Sequence, residues 1–192
     1  MTASDAASVR LLIVPGSARS GSLNKALAQV AAGAGRAAGA AVTVVDLREF
    51  PLPVYDGDLE TRDGVPAPAL ELAGVFRAHA GILFVSPENN ASMSALLKNT
   101  LDWMSRLRGD DPFAGRVAGL MAASPGALGG LRGLAHLRQT LQALNMLVIT
   151  EQFALPRANQ AFDTDGRLAD ARQQESMTRV VHRLIHIAGR LA

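Results

Sequence analysis

Residues 11–24 read LLIVPGSARSGSLN. The four apolar residues 11–14 predict a buried β-strand, because a short continuous apolar run that ends at turn-forming residues is typical of parallel sheets. Pro15 and Gly16 end the run, and a helix-forming segment begins at Lys25. The stretch therefore predicts a strand, a short polar loop and a helix N-terminus, in that order.

The polar loop between this strand and this helix is rich in hydrogen-bond donors. Its hydroxyl groups and its one guanidinium belong to Ser17, Ser20, Ser22 and Arg19. The first N–H groups of a helix have no partners within the helix, and the positive end of the helix dipole lies beside them. Together these donors suit the oxygens of a phosphate monoester. The other interpretation is an ordinary turn in which Ser22 or Asn24 only caps the helix.

The composition limits the classes of protein to consider. A chain of 192 residues, 48% of them apolar, can bury the core of one domain, and we expect residues 1–192 to form one. No apolar run approaches the ~20 residues that cross a bilayer, and residues 1–8 do not resemble a signal peptide. The chain has no cysteine, which excludes disulfides and thiolate chemistry, and we expect a cytoplasmic protein.

Neither a nucleic acid nor a metal ion is indicated as a partner. The net charge is +2, only 4% of the residues are aromatic, and the basic residues are scattered along the chain. A nucleic-acid face would instead collect its charge in a stripe with stacking rings. His182 and His186 are four residues apart on a predicted helix, but no third ligand accompanies them. We therefore expect no metal site.

Strand and helix patterns alternate along the whole chain, without a linker or a repeat. The predicted strands are 11–14, 41–47, 81–86, 116–124 and 146–153. The predicted helices are 25–38, 68–80, 92–107, 131–144 and 168–191. Residues 50–56 contain two prolines and are expected to be irregular. Residues 58–68 are acidic and contain Gly64, Pro66 and Pro68, so they are expected to form a surface loop. The alternation predicts a parallel sheet covered by helices on both faces.

Three of the predicted strands end in polar loops that contain glycine or asparagine. These loops read GSARSGSLN after the first strand, SPENNAS after the third and SPGALGG after the fourth. In doubly wound sheets, ligands bind beyond the carboxyl ends of the strands, where the strand order reverses. With the order 2-1-3-4-5, which is common in such sheets, strands one, three and four are neighbours. The three loops would then converge on one ligand site.

These loops resemble the motifs of the NAD(P)H-dependent FMN reductase family, a flavodoxin-like group that includes quinone, azo-dye and chromate reductases. The first family motif, G-S-x-R-x-x-S-x-N, is matched by residues 16–24. The second, P-E-Y-N-x-S followed by L-K-N-x-x-D-W, is similar to residues 87–92 and 97–103, and the family's glycine loop to residues 124–130. The resemblance covers nearly the whole chain. It implies a flavodoxin-like three-layer α/β sandwich with a five-stranded parallel sheet in the order 2-1-3-4-5.

The resemblance also implies which residues would bind FMN. The implied phosphate-binding residues of the first loop are Ser17, Arg19, Ser22 and Asn24, with Leu23 beside them. The implied flavin-binding residues of the other two loops are Pro87, Glu88, Asn89, Asn90, Ser124, Gly126 and Gly129. The flavin would carry the chemistry, so no side chain needs to act as an acid or a base. We name no catalytic residue.

The implied activity is that of a flavoenzyme oxidoreductase. NADPH or NADH would give hydride to FMN, which would then reduce a small molecule such as a quinone, a flavin, an azo compound or a metal oxyanion. Two other functions stay open from the residues alone. One is a flavodoxin-like FMN-binding or electron-transfer module without NAD(P)H turnover. The other is an unrelated phosphosugar-binding protein on the same fold.

Two residues depart from the second family motif. Asn89 stands in place of the tyrosine, and Ser94 in place of the proline that begins the next helix. Loss of the ring beside the flavin predicts weaker binding or a more open, more polar site.

The predicted helix 92–107 carries more apolar residues than one buried stripe requires. Either it packs deeply on the sheet, or a second apolar face contacts another subunit. We favour the second interpretation and expect a homodimer or a homotetramer.

Overall fold

A computed structural model of the chain describes residues 8–107, 109 and 111–192. Five parallel strands form one sheet in the order β2-β1-β3-β4-β5. The strands are β1 (Arg10–Pro15), β2 (Ala41–Val44), β3 (Gly81–Val85), β4 (Val117–Ala123) and β5 (Leu147–Leu155). The predicted parallel sheet and its strand order are confirmed.

Helices cover both faces of this sheet. They are α1 (Leu23–Ala37), α2 (Gly57–Asp63), α3 (Ala67–Arg77), α4 (Ala95–Met104), α5 (Leu131–Ala143) and α6 (Ala171–Leu191). Helices α1 and α6 pack on one face, and α3, α4 and α5 pack on the other. The three layers are those of the predicted flavodoxin-like α/β sandwich. In the described part of the chain, no helix is long and apolar enough to cross a membrane.

The central strands are continuously apolar because helices cover both of their faces. Every residue of β3 and β4 is buried, and so is every residue of β1 after Arg10. Successive side chains enter opposite cores: Leu12 packs with α3, α4 and α5, whereas Leu11 and Ile13 pack with α1 and α6. Because helices cover both faces of β1, residues 11–14 form one unbroken apolar run.

The prediction of a surface loop at residues 58–68 is wrong for its first half, which forms α2. The Asp56 carboxylate accepts a hydrogen bond from the N–H of Asp58 and caps this helix. Acidic residues in the first turn of α2 add favourable interactions with the helix dipole. Gly64 ends α2 with a φ of 78°, and Pro66 precedes α3. Gly64 and Pro66, two of the three residues that suggested a loop, are therefore the boundaries of α2 and α3.

The large apolar residues of α4 pack within the chain: Leu97, Leu101, Trp103 and Met104 are buried, and Leu96 is half-buried against the same core. Trp103 is fully buried, and its Nε1 donates a hydrogen bond to the carbonyl oxygen of Pro53 at 2.8 Å. The Trp103 ring also meets the Tyr55 ring edge-on, with the centroids 5.1 Å apart. The irregular segment 50–56 thus covers the part of α4 that carries Trp103. The deep-packing interpretation is correct, and the width of this apolar face is not an argument for a second subunit.

Candidate functional site

The three polar loops meet at the carboxyl end of the sheet, where they enclose a cavity of about 360 Å³. Its lining includes Ser17, Arg19, Ser22, Leu23 and Asn24 of the first loop, Pro87, Glu88 and Asn89 of the second, and Ala123, Ser124 and Pro125 of the third. The start of α4 completes the wall with Ser94, Ala95 and Leu96. The volume lies within the range of small-molecule and cofactor sites. The predicted convergence of the three loops is confirmed.

Unpaired backbone donors lie along the first loop and the start of α1. Within the part of the chain that the structure describes, the N–H groups of Ser17, Leu23 and Asn24 donate to no protein acceptor. The Ser22 hydroxyl accepts a hydrogen bond from the N–H of Lys25 at 3.3 Å and so caps α1. A hydroxyl that accepts one bond keeps its own proton for a second partner. Helix capping and anion binding are therefore compatible at Ser22.

Arg19 is the cation that this loop offers to a ligand. Its side chain is exposed, and among the described residues its guanidinium has no hydrogen bond or ion pair. Lys25 lies nearby, but its ammonium group bonds to the carboxylate of Asp46 at 2.7 Å, and Arg48 pairs with the same carboxylate. The hydrogen bonds from Arg48 and Lys25 overcome the effect of burial and hold the pKa of Asp46 well below its usual range. Lys25 and Arg48 thus share one carboxylate, whereas Arg19 has no acidic partner among the described residues.

Asn24 joins the start of α1 to the end of β4. Its Nδ2 donates to the carbonyl oxygen of Ala123 and its Oδ1 accepts from the N–H of Ala123, both at 2.9 Å. Strand β3 ends at Val85, opposite Met121, so the Asn24 amide takes the place of a strand partner for Ala123. The residue is 4% exposed. The Asn24 side chain therefore ties the start of α1 to the end of β4. Its contact with a phosphate stays a prediction, since Nδ2 keeps a second proton and the backbone N–H of Asn24 also faces no acceptor among the described residues.

Glu88 joins the second loop to helix α5. Its carboxylate accepts hydrogen bonds from the N–H groups of Arg132 at 3.0 Å and Gly133 at 3.2 Å, and from Nε of Arg132 at 2.8 Å. Gly130, which precedes α5, offers no side-chain cap, so Glu88 caps this helix from another loop. Burial raises the pKa of Glu88, but the bonds from Arg132 and Gly133 outweigh it and bring the pKa below its ordinary value. Glu88 thus lines the cavity with a carboxylate that is already engaged.

Because its pKa is lowered in the folded state, Glu88 is expected to stabilise the protein in a pH-dependent way. The contribution is fully present above the ordinary glutamate pKa of 4.5 and is lost as the pH falls through the lowered value. At pH 7 the Glu88→Gln variant should lose about 1.5–3 kcal/mol of unfolding free energy, as for hydrogen bonds to a charged group. Denaturant melts from pH 7 to pH 3 should show this difference shrinking below pH 4.5.

The control for this prediction is Glu71→Gln, because Glu71 is exposed on α3. This variant should follow the wild type at every pH. A difference between Glu88→Gln and the wild type that stays constant down to pH 3 would contradict the linkage.

Residues 89–92 form a tight hairpin turn beside the cavity. Asn89 and Ser92 exchange backbone hydrogen bonds of 2.9 and 3.0 Å. The two central residues, Asn90 and Ala91, have positive φ angles of 50° and 64°, the pattern of a type I′ turn. Asparagine tolerates this conformation, whereas the Cβ of alanine makes it unfavourable. The turn explains why α4 begins at Ala95 and not at the predicted residue 92.

Replacement of Ala91 by glycine should therefore stabilise the fold. Relief of the left-handed strain exceeds the entropy that glycine adds to the unfolded chain, and we expect a gain of about 0.5–1 kcal/mol. The measurement is the unfolding free energy in urea. Ala135→Gly, at an exposed position in the interior of α5, is the matched control and should lose stability by about the same amount. A loss in Ala91→Gly as large as in the control would contradict the strain argument.

Asn90, Gly126 and Gly129 were predicted to contact the flavin but do not line this cavity. Asn90 lines a neighbouring cavity of about 650 Å³, to which Asn89 also contributes. At Gly129, φ is 62°, and a Cβ would lie 2.8 Å from the backbone of Ala154 and Leu155. Close packing against the end of β5 accounts for this glycine. Flavin contact by these three residues stays a prediction.

The cavity joins two kinds of surface that suit one kind of ligand. One part offers the N–H groups that have no acceptor in the described part of the chain, the hydroxyls of Ser17 and Ser22, and the Arg19 guanidinium. The other part is small and largely apolar, and it includes Pro87, Ala95, Ala123 and Pro125. A ligand with a phosphate at one end and a flat, partly apolar body at the other fits this arrangement. FMN has these properties.

Comparison with known proteins identifies the family of this chain. Residues 9–160 match the family described as NADPH-dependent FMN reductase. An NAD(P)H-dependent FMN reductase of Pseudomonas aeruginosa is 36% identical over 168 residues, which cover 87% of this chain and 88% of the relative. A quinone reductase of Escherichia coli strain K12 is 35% identical over 146 residues, 74% of each protein.

The solved structure of FerB, a flavoenzyme NAD(P)H:(acceptor) oxidoreductase from Paracoccus denitrificans, has the same fold. It aligns with a TM-score of 0.83 over 95% of this chain and 98% of that chain, at 23% sequence identity. The family match spans all three loops that form the cavity. The chain therefore belongs to the NADPH-dependent FMN reductase family, and it is a flavoenzyme of the oxidoreductase class.

Proposed function

We propose that this protein passes hydride from NADPH or NADH, through FMN in the cavity described above, to a small-molecule electron acceptor. When bound, FMN supplies the capacity to take up and release a hydride. The observation that carries the proposal is the set of donors in the first loop. Among the described residues, the N–H groups of Ser17, Leu23 and Asn24 and the guanidinium of Arg19 have no partner, and all four residues line the same cavity. Such a set matches the oxygens of the FMN phosphate.

The residues of the chain bind and orient the cofactor. In this proposal Ser17, Arg19 and Ser22 hold the phosphate, together with the N–H groups of Leu23 and Asn24. Residues 87–90 and 124–129 lie against the ring, whose edge needs hydrogen bonds from backbone groups. Among the described residues that line the cavity, Glu88 is the one carboxylic acid, and it is engaged with α5. We therefore assign no acid or base to the reaction.

The acceptor is proposed to be a quinone, a free flavin, an azo compound or a metal oxyanion. The quinone reductase of Escherichia coli among the relatives supports the first of these. Asn89 supports a broad choice, because this side chain is exposed and lines both the cofactor cavity and its neighbour. Where the family motif has an aromatic ring, this chain has a small amide, which leaves the rim of the cavity open to a second ligand.

The test is the visible spectrum of the protein after FMN addition and desalting, followed by anaerobic addition of NADPH or NADH. Retained flavin absorbance that bleaches with either nucleotide supports the proposal. Retention without bleaching would mean a passive electron-transfer module. No retention would mean that the first loop binds another anion, such as a phosphosugar. A quinone added after bleaching should restore the absorbance of oxidised flavin.

We also propose a homodimer or homotetramer in the cytoplasm. Leu128 in the third loop and Leu131 at the start of α5 are 52% and 44% exposed, which supports contact with a second subunit. Light scattering after size exclusion should give a mass of two or four chains. A monomer at micromolar concentration would contradict this assembly.

The lack of cysteine supports the proposed location in the cytoplasm, which is a reducing compartment. Cell fractionation tests this location.

A further inference from the structure

Ser94 lies where helix α4 meets the first loop, and it is 5% exposed. Its Oγ accepts a hydrogen bond from the N–H of Leu97 at 3.1 Å and donates one to the carbonyl oxygen of Gly16 at 2.6 Å. The first bond caps α4. The second bond is not needed for capping, and it joins α4 to the residue that opens the first loop, 78 positions earlier.

The N–H, the carbonyl and the Cα of Gly16 are each in contact with a neighbouring element. Its N–H donates to the carbonyl oxygen of Val85 at 3.0 Å, and its own carbonyl accepts from Ser94. A Cβ at Gly16 would lie 3.2 Å from the side chain of Leu97, so α4 also packs closely against this residue. The backbone of Gly16 therefore has little freedom to rotate.

The bond from Ser94 to Gly16 also orients the next N–H group. The peptide between Gly16 and Ser17 is planar and trans, so the Gly16 carbonyl and the Ser17 N–H point in opposite directions. Fixing the carbonyl thus fixes the N–H. The Ser17 N–H is one of the donors that have no acceptor among residues 8–107, 109 and 111–192.

We infer that Ser94 is a positioning residue for the phosphate group of FMN, acting through the Gly16–Ser17 peptide. This inference rests on the proposed function, since it takes the first loop as the phosphate site. A donor that is already oriented need not be ordered when the ligand binds, and this raises affinity. The proline that the family motif has at this position has no hydroxyl and cannot donate to Gly16. Ser94 thus gives this chain a means of ordering the loop that the motif residue does not provide.

The experiment compares FMN with riboflavin, which shares the ring and the ribityl chain but has no phosphate. The Ser94→Ala variant should bind FMN about fivefold more weakly, as for the loss of one neutral hydrogen bond. Its affinity for riboflavin should equal that of the wild type. Calorimetry gives the FMN constant, and displacement by FMN gives the riboflavin constant even where binding is weak. The ratio of the two constants therefore isolates the effect on the phosphate.

A second measurement separates positioning from direct contact. In the ligand-free protein, the NMR order parameter of the Ser17 N–H should be lower in Ser94→Ala than in the wild type, because the peptide is no longer fixed. A direct contact between Ser94 and the ligand would leave this order parameter unchanged. An unchanged order parameter would therefore overturn the inference.

Two further variants complete the experiment. Ser94→Gly also lacks the hydroxyl, and because glycine is well tolerated at an N-cap it serves if the alanine variant does not fold. Thr100→Ala removes a buried hydroxyl that bonds within α4, to the carbonyl oxygen of Leu96, and should change neither affinity.

The outcomes are distinct. Equal losses for FMN and riboflavin in the Ser94 variants, or a loss in Thr100→Ala as large as theirs, would overturn the role of Ser94 and leave the FMN site in place. Failure of the wild type to bind FMN would overturn the proposed function itself.

Discussion

The Arg19→Ala variant is expected to bind FMN roughly 10- to 100-fold more weakly than the wild type, because a charge-assisted hydrogen bond to a phosphate contributes about 1.5–3 kcal/mol. Its melting temperature without flavin should not change, since the Arg19 side chain is exposed and has no partner among the described residues. Fluorescence titration of FMN measures the affinity, and thermal melts measure the stability. The Arg19→Ala substitution should therefore lower the affinity for FMN without lowering the stability of the fold.

The control for Arg19 is Arg36→Ala. Arg36 is an exposed arginine in the last turn of α1, the helix that follows the first loop, and it does not line the cavity. FMN binding should not change in this variant. Raising the ionic strength should weaken FMN binding to the wild type more than to Arg19→Ala, because salt screens an exposed charge. Equal affinities in Arg19→Ala and the wild type would place the phosphate elsewhere.

The Asn24→Ala variant is expected to lose stability and FMN affinity together. The substitution leaves the buried N–H and carbonyl groups of Ala123 without their side-chain partner, at about 2–4 kcal/mol for the pair. For a chain of this length the melting temperature should fall by about 5–12 °C. The end of β4 and the first loop then lose their connection, so FMN binding should weaken as well. Melts without flavin and FMN titration measure the two effects.

Two substitutions define what Asn24 does. Gln29→Ala removes an exposed amide from the same helix and should leave stability and affinity unchanged. Asn24→Asp keeps an oxygen for the N–H of Ala123 but removes the donor to its carbonyl, so it should also destabilise the fold. A weaker affinity with normal stability in Asn24→Ala would instead mean that the side chain binds the phosphate directly.

Local patterns in the sequence were enough to predict most of the fold. The apolar run 11–14 and its counterparts at the other strands predicted five parallel strands, because a strand with both faces covered has no polar side. The prediction of a loop at residues 58–68 failed because Gly64 and Pro66, which suggested a loop, instead mark the end of α2 and the start of α3. The capping carboxylate of Asp56 was the signal that could have corrected it.

The sequence by itself determined the order of the elements, the three loops of the site and the family. Each of these depends on neighbouring residues or on a motif read along the chain. Only the tertiary structure decided which polar side chains of the site are free and which are engaged. Asn24, Glu88 and Ser94 have partners 99, 45 and 78 positions away, respectively. Hydrogen bonds depend on where distant backbone groups meet in space, and no local pattern contains that distance.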